Sequence, residues 1–265
     1  MSPDAPILVG AGDIGDCETD GAAQTALLLD SIPGTVFTVG DNAQGTGDAT
    51  EFADCYEPSW GRHRLRTRPV PGNHDYNVPD ATAYYNYFGA AAGPSGRGYY
   101  SARLPAGWLY LGLNSEVPVG TESAQYDWLR QTLKAEPATC IVAAWHQPFV
   151  SSGPSRGTPR MRAIWKLLQD SAADIILAGH DHFYERFQPV NADQQVDAAA
   201  GIRSFIVGTG GGRLMAANNP NPASVTRARI WGVLKIFLFA ESYSWEFVAV
   251  DGSTLDRGNG SCRKP

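Results

Sequence analysis

Five times along this chain a short apolar run gives way, within four residues, to a side chain that can bind a metal. Ile7-Leu8-Val9 leads to Gly12-Asp13, and Val36-Phe37-Thr38-Val39 leads to Gly40-Asp41-Asn42. Arg68-Pro69-Val70 leads to Gly72-Asn73-His74-Asp75, Cys140–Ala144 to Trp145-His146, and Ile175–Ala178 to Gly179-His180-Asp181-His182. Short apolar runs bounded by turn residues read as buried strands. Helical patterns lie between the first three. One carries Leu27, Leu28 and Leu29 with Asp20 placed to cap it, and another starts at Asp48, which has capping-box spacing to Glu51. The order β-α-β-α-β predicts a sheet with crossover helices. Ligands of such sheets gather beyond the carboxyl ends of the strands. A glycine at that point permits the tight turn and close backbone approach a site there needs.

The middle of the chain predicts strands at Gly98–Arg103 and Trp108–Leu113 and a helix from Ser123 with Tyr126, Leu129 and Leu133 on one face. A further helix is expected around Met161–Leu168. The last third reads as strands at Phe205–Val207, Trp231–Phe239 and Tyr243–Val250, with Trp245, Phe247 and Ala249 sharing one face. Ser151–Pro159 and Ala216–Ala228, rich in Gly, Pro, Ser and Asn, read as long surface loops. No internal repeat or low-complexity linker interrupts the pattern. The expectation is one α/β domain over residues 1–265, with mixed sheets packed together and helices outside.

Histidine usage sharpens the reading. The chain has five His, and four of them (His74, His146, His180, His182) fall inside these motifs. Structural histidines would scatter, whereas the neutral imidazole is the commonest protein metal ligand. Mixed imidazole and carboxylate donors suit Zn, Fe or Mn better than Ca or Mg. Each motif alone has a plain structural explanation, since Gly-Asp is a common turn and Asn73-His74-Asp75 is compatible with an Asx turn. All five in order, each after a strand, do not.

A formal net charge of −6 argues against a nucleic-acid groove, because phosphate backbones are held mainly by Lys and Arg. It is compatible with a small phosphate substrate, since bound metals reverse the local field. No apolar run reaches the ~20 residues of a membrane span. The opening Met1-Ser2-Pro3-Asp4-Ala5-Pro6 has neither charged leader nor apolar signal core, and reads as a mature N-terminus with a start Met added. Cys17, Cys55, Cys140 and Cys262 form no CxxC pair, which argues against a thiolate zinc site. An even count fits two disulfides in any of three pairings, or four buried thiols.

The ordered set of motifs resembles the calcineurin-like metallophosphoesterases, and among them the purple acid phosphatase branch. The resemblance covers essentially the whole chain. It extends to Cys55-Tyr56-Glu57-Pro58-Ser59-Trp60-Gly61-Arg62, Gly98-Tyr99-Tyr100-Ser101, Tyr184-Glu185-Arg186 and Gly208-Thr209-Gly210-Gly211. The chain looks most like the small secreted bacterial members. The resemblance implies a four-layer α-β-β-α sandwich of two mixed β-sheets flanked by helices. It implies two metal ions (Fe, Zn or Mn) and hydrolysis of a small-molecule phosphate ester by a metal-bound hydroxide. It also implies roles for single residues. Asp41 bridges the metals. Asp13 and His182 serve the first, and Asn73, His146 and His180 serve the second. His74, oriented by Asp75, faces the leaving group. A phosphomonoesterase is expected foremost. The alternatives are a phosphodiesterase on the same site and, in another class, a metal-depleted protein that only binds a phosphate ligand. Likeness to secreted members places the chain outside the cytoplasm, secreted or periplasmic, and agrees with the pairs Cys17–Cys55 and Cys140–Cys262.

One position departs from the pattern. Purple acid phosphatases carry a metal-binding Tyr three residues after the second-motif Asp, where this chain has Gln44. Many other members place a His two residues after the first-motif Asp, where this chain has Gly15. Gln44 can offer an amide oxygen, or water can fill the gap, and Asp16 is near in sequence. Of the remaining features, the basic run Arg62, His63, Arg64, Arg66 and Arg68 reads as a solvated face. Gly208–Gly212 lacks the Lys-Ser/Thr of a P-loop and reads as a structural turn. Tyr84, Tyr85, Tyr87 and Phe88 have the spacing of packing residues, and Asn259-Gly260-Ser261 is a glycosylation sequon by pattern.

Overall fold

The computed structural model describes residues 5–264, so the reading of Met1–Asp4 lies outside the described residues. Its frame is two mixed sheets. The first contains β1 (Ile7–Ala11), β2 (Thr35–Thr38), β3 (Thr67–Arg68), β11 (Gly232–Leu238), β12 (Ser242–Ala249) and β13 (Thr254–Ser261) in the order β13-β12-β11-β1-β2-β3. The second contains β4 (Tyr100–Arg103), β5 (Leu109–Gly112), β6 (Ile141–Ala144), β7 (Ile175–Ala178), β8 (Tyr184–Phe187), β9 (Arg203–Val207) and β10 (Ser224–Ala228) in the order β10-β8-β9-β7-β6-β5-β4. Strands β1, β2 and β3 run parallel, as do β5, β6, β7 and β9, while the outer pairs are antiparallel.

Strand alternation explains why the sheets stack face to face. Along β6, Val142 and Ala144 pack into the core shared with Val36, Phe37, Trp245 and Phe247 of the first sheet. Ile141 and Ala143 point the other way, into a second core with Leu129, Ile164, Trp165 and Leu168. Those last four residues belong to helices α2 (Ala124–Ala135) and α3 (Arg162–Asp170), which cover the outer face of the second sheet. Helix α1 (Gly21–Ser31) buries Ala22, Thr25, Ala26 and Leu29 on the far side of the first sheet. The result is the expected four-layer sandwich.

Local signals were met unevenly. Asp48 accepts from Glu51 N at 2.9 Å, and Ser123 accepts from Tyr126 N at 3.2 Å, so both caps form. Asp20 makes no side-chain cap, because its own backbone is already helical at φ −90°. The basic run closes the end of α1. The Arg66 guanidinium takes up the carbonyls of Leu29, Ile32 and Gly34, and Arg62 pairs with Asp30 at 2.7 Å. Tyr84, Tyr85 and Phe88 are buried in an aromatic cluster with Phe52 and Tyr56. Two loop readings are corrected. Ala216–Ala228 ends in strand β10, and Ser151–Pro159 is not a surface loop throughout, since Ser151 and Ser152 are buried. Strand β13 was not foreseen, and Asn259 of the sequon is exposed on it at the sheet edge. Disulfides join Cys17 to Cys55 and Cys140 to Cys262. Among the described residues no helix is long and apolar enough to cross a membrane.

Candidate metal centre

All five motifs lie at the carboxyl ends of parallel strands, and the two sheets bring them to one edge of the sandwich. Asp13 follows β1, Asp41 follows β2, and Asn73 and His74 come after β3. From the other sheet, His146 follows β6 and His180 and His182 follow β7. The loop after β9 stitches the sheets together. Gly12 N donates to Val207 O at 2.8 Å, Gly210 N to Gly12 O at 2.8 Å and Gly212 N to Asp13 O at 2.7 Å. The Gly208–Gly212 run is therefore a structural turn, as its sequence suggested, but one that holds the first motif in place.

Close approach explains the glycines. A Cβ on Gly40 would lie 2.5 Å from His146 Nδ1, and one on Gly179 would lie 2.6 Å from Asp13 Oδ2. Asp13, Asp41 and His180 themselves hold positive φ angles of 58°, 47° and 69°. Non-glycine residues carry that conformation at a cost that the surrounding structure must offset, and such strain concentrates at functional sites.

Four donor atoms converge. Asn73 Oδ1 is 2.8 Å from His180 Nδ1 and 3.0 Å from His146 Nε2. His146 Nε2 is 3.3 Å from His180 Nδ1 and 3.2 Å from Asp41 Oδ2. Beside this group His182 Nε2 lies 3.3 Å from Asp13 Oδ1, and the Gln44 amide nitrogen donates toward the same His182 Nε2 at 3.3 Å. Donors bound at ~2.0–2.2 Å to one ion stand roughly 3.0–3.5 Å apart, so these sets fit metal ions. Their mixed oxygen and imidazole chemistry suits a first-row transition metal.

Backbone carbonyls fix which imidazole nitrogen faces the site. His146 Nδ1 donates to Val39 O at 2.8 Å, and His182 Nδ1 donates to Arg213 O at 2.8 Å, leaving each Nε2 for the site. The electrostatics favour a cation there. Burial opposes a charge on His146, but the Asp41 carboxylate outweighs it and pushes the imidazole up to about 10. His182 is pushed up to about 9 in the same way, against burial, by Asp13. His180 shifts the other way, lowered by burial and then by His146. Asp41 is held below its ordinary value although burial raises it, because His146 and His74 stand beside it.

His74 and Asp75 part company. The His74 ring directs Nδ1 at Gly45 O, 2.9 Å away, and Nε2 lies 3.9 Å from Asp41 Oδ2. Asp75 does not orient His74, contrary to expectation. Its carboxylate turns back to accept from Gly72 N at 2.8 Å and Asn42 Nδ2 at 3.0 Å, tying the third motif to the second. Burial and the Asp41 charge push Asp75 up to about 7. Asp181, between the two motif histidines, also faces away. It accepts from Ser151 Oγ and from Ser155 Oγ at 2.5 Å, so it clamps the 151–155 loop to the histidine loop.

Residues that the sequence did not single out complete the surroundings. A cleft of about 580 Å³ opens beside the donors, lined by His74, His182, Gln44, Asp16, Glu18 and Glu51, and by Arg213, Leu214 and Met215 next to His182. Arg213 is the cation of that lining, and no motif marks it. The Gly45, Val39 and Arg213 carbonyls carry no side-chain signal at all.

The sequence profile of the calcineurin-like phosphoesterase family matches residues 8–184. Purple acid phosphatase 21 of Arabidopsis thaliana is 30% identical over an alignment of 227 positions that covers 77% of this chain and 49% of that protein. Purple acid phosphatase 22 of the same plant is 26% identical over an alignment of 248 positions that covers 83% of this chain and 55% of that protein. This chain spans about half the length of these curated relatives. Among solved structures, the purple acid phosphatase PPD1 of yellow lupin (Lupinus luteus) seeds superposes with a TM-score of 0.76 at 20% identity, covering 97% of this chain and 54% of that one. A dimetal phosphatase of Danio rerio superposes with a TM-score of 0.66 at 11% identity, covering 98% and 99%. At these identities the two structures speak for the fold.

Proposed function

This chain belongs to the calcineurin-like phosphoesterase family, and from that premise we propose that it is a two-metal hydrolase of small phosphate esters, foremost a phosphomonoesterase. The observation that carries the reading is the convergence of Asp41, Asn73, His146 and His180 beside Asp13 and His182, with His74 at the lip of the same cleft. Both sheets supply donors, so the chain works as one domain. Asn73, His146 and His180 would hold one ion, Asp13 and His182 would hold the other, and Asp41 would serve both. When bound, two such ions neutralise phosphoryl oxygens and acidify water.

The chain's own groups do the rest. The carbonyls of Val39 and Arg213 keep each Nε2 turned to the site, so no reorganisation is needed as charge develops. Water attacks phosphorus in line with the ester oxygen, and the bond from phosphorus to that oxygen breaks. His74, held through Nδ1–H by Gly45 O, acts as the imidazolium: it gives its Nε2 proton to the departing oxygen, and the proton released by the attacking water restores it. Asp75 acts at one remove, by fixing the loop that carries Asn73 and His74 against Asn42. Two disulfides and the likeness to the plant phosphatases support a place outside the cytoplasm.

The test is metal analysis of the purified protein combined with a panel of p-nitrophenyl mono- and diesters. Two equivalents of metal per chain with faster monoester turnover supports the reading. Faster diester turnover would replace the monoesterase with a diesterase. Phosphate binding without turnover at full metal loading would leave a binding protein.

A further inference from the structure

We propose that the amide oxygen of Gln44 is a ligand of the ion held by Asp13 and His182, and that this neutral donor fits that site for a divalent ion. The inference rests on the two-metal reading above. Gln44 is 8% exposed, yet its buried Oε1 has no hydrogen-bond partner. A buried carbonyl left unpaired is rare and costly, and it signals a missing partner. The amide nitrogen occupies the ligand position, 3.3 Å from His182 Nε2, the same separation that His182 Nε2 keeps from Asp13 Oδ1. Its terminal torsion is a soft two-fold rotor, so a half-turn exchanges nitrogen for oxygen facing the site.

The other donors near the first motif are less well placed. Gly15 has no room for a side chain, since a Cβ there would lie 2.7 Å from Asn42 O. Asp16 turns Oδ1 to its own loop, accepting from Glu18 N at 2.8 Å, and no contact among the described residues brings it to Asp13 or His182. The Gln44 backbone, in contrast, is anchored to the first motif by Gln44 N donating to Gly15 O at 3.0 Å, which fixes where the side chain starts. Charge then decides the ion. The donors at this site are Asp13, a shared Asp41, a neutral imidazole and a neutral amide. They carry at most two negative charges, one fewer than with a phenolate at position 44, and so match a divalent ion.

The experiment strips the purified protein of metal and titrates it with Mn(II) by calorimetry, for wild type, Gln44→Ala, Gln44→Glu, His182→Ala and Asn73→Ala. We expect two ions per wild-type chain, and Gln44→Ala to weaken by at least tenfold the same ion that His182→Ala weakens. The ion that Asn73→Ala weakens should keep its affinity in Gln44→Ala. Gln44→Glu, which adds a charge in the same shape, should tighten the first ion. Loaded with Fe(III), Gln44→Tyr should gain a visible charge-transfer band that wild type lacks. Two ions in wild type with both affinities unchanged in Gln44→Ala and Gln44→Glu would overturn the assignment while leaving the two-metal reading intact. One ion in wild type would overturn both.

Discussion

Removing each disulfide separately should cost stability in an order set by loop length. Cys17–Cys55 spans 38 residues and Cys140–Cys262 spans 122. In the chain-entropy account these loops are worth about 3.9 and about 4.9 kcal/mol at 25 °C, and the difference of about 1 kcal/mol depends only on the ratio of lengths. Packing widens the gap, because Cys140 is 1% exposed whereas Cys17 is exposed at the rim of the cleft. The paired substitutions Cys17→Ala/Cys55→Ala and Cys140→Ala/Cys262→Ala should be compared by guanidinium denaturation in the presence of a chelator, since bound metal would add its own stabilisation. Both m-values should rise, as the freed denatured chain exposes more surface. The functional effects should run the other way. Cys17 sits just past Asp13, so loss of the exposed bridge should weaken metal binding. The Cys140–Cys262 bridge is anchored at the chain's end, where Arg263 N also donates to Asp174 at 2.6 Å, and its loss should leave metal affinity unchanged. An equal or larger cost for removing Cys17–Cys55, with unchanged m-values, would refute the loop-entropy reasoning.

Three further outcomes follow from single side chains. His74→Ala should lower turnover of esters with poor leaving groups by roughly 100- to 10,000-fold, and of p-nitrophenyl phosphate much less, with metal content by elemental analysis unchanged; equal losses on both would remove the proton-donor role. Asp181→Ala should release the 151–155 loop to limited proteolysis and lower metal retention, because Asp181 holds Ser151 and Ser155 against the histidine loop; an uncut loop with full metal would show that the clamp is dispensable. Asp174 is pushed up to about 6, mainly by burial. The folded state therefore holds its proton more tightly than the unfolded chain, so this contribution is full below about pH 4 and lost as pH rises through about 6, at most about 3 kcal/mol. In chelated protein, wild type minus Asp174→Asn should show that fall in denaturation free energy, and a flat difference would contradict it.

The centre was legible because its signals are local. Each ligand sits two to five residues beyond a strand, and Asp13, Asp41, Asn73 and His180 each follow a glycine, so residue type and position coincide in the sequence. Asp75 was misjudged for the same reason that the others were found. Adjacency to His74 suggested a partnership, but the short helical turn Asp75–Asn77 directs the carboxylate back to Asn42, far away in sequence. Strand β13 was invisible because Thr254–Ser261 includes Asp, Arg, Asn and two glycines, a poor strand former taken alone. It forms because β12 offers a paired edge, and because Gly258 and Gly260 leave space for the rings of Trp245 and Tyr243, which residues with a Cβ would strike. The Gly208–Gly212 turn shows both effects at once. Its glycines marked it as a turn, yet what they permit is contact with Gly12, Asp13 and Ile14 almost two hundred residues earlier. Local chemistry thus announces the ligands, while the alignment of the two half-sites depends on backbone contacts between sheets that no side-chain pattern records.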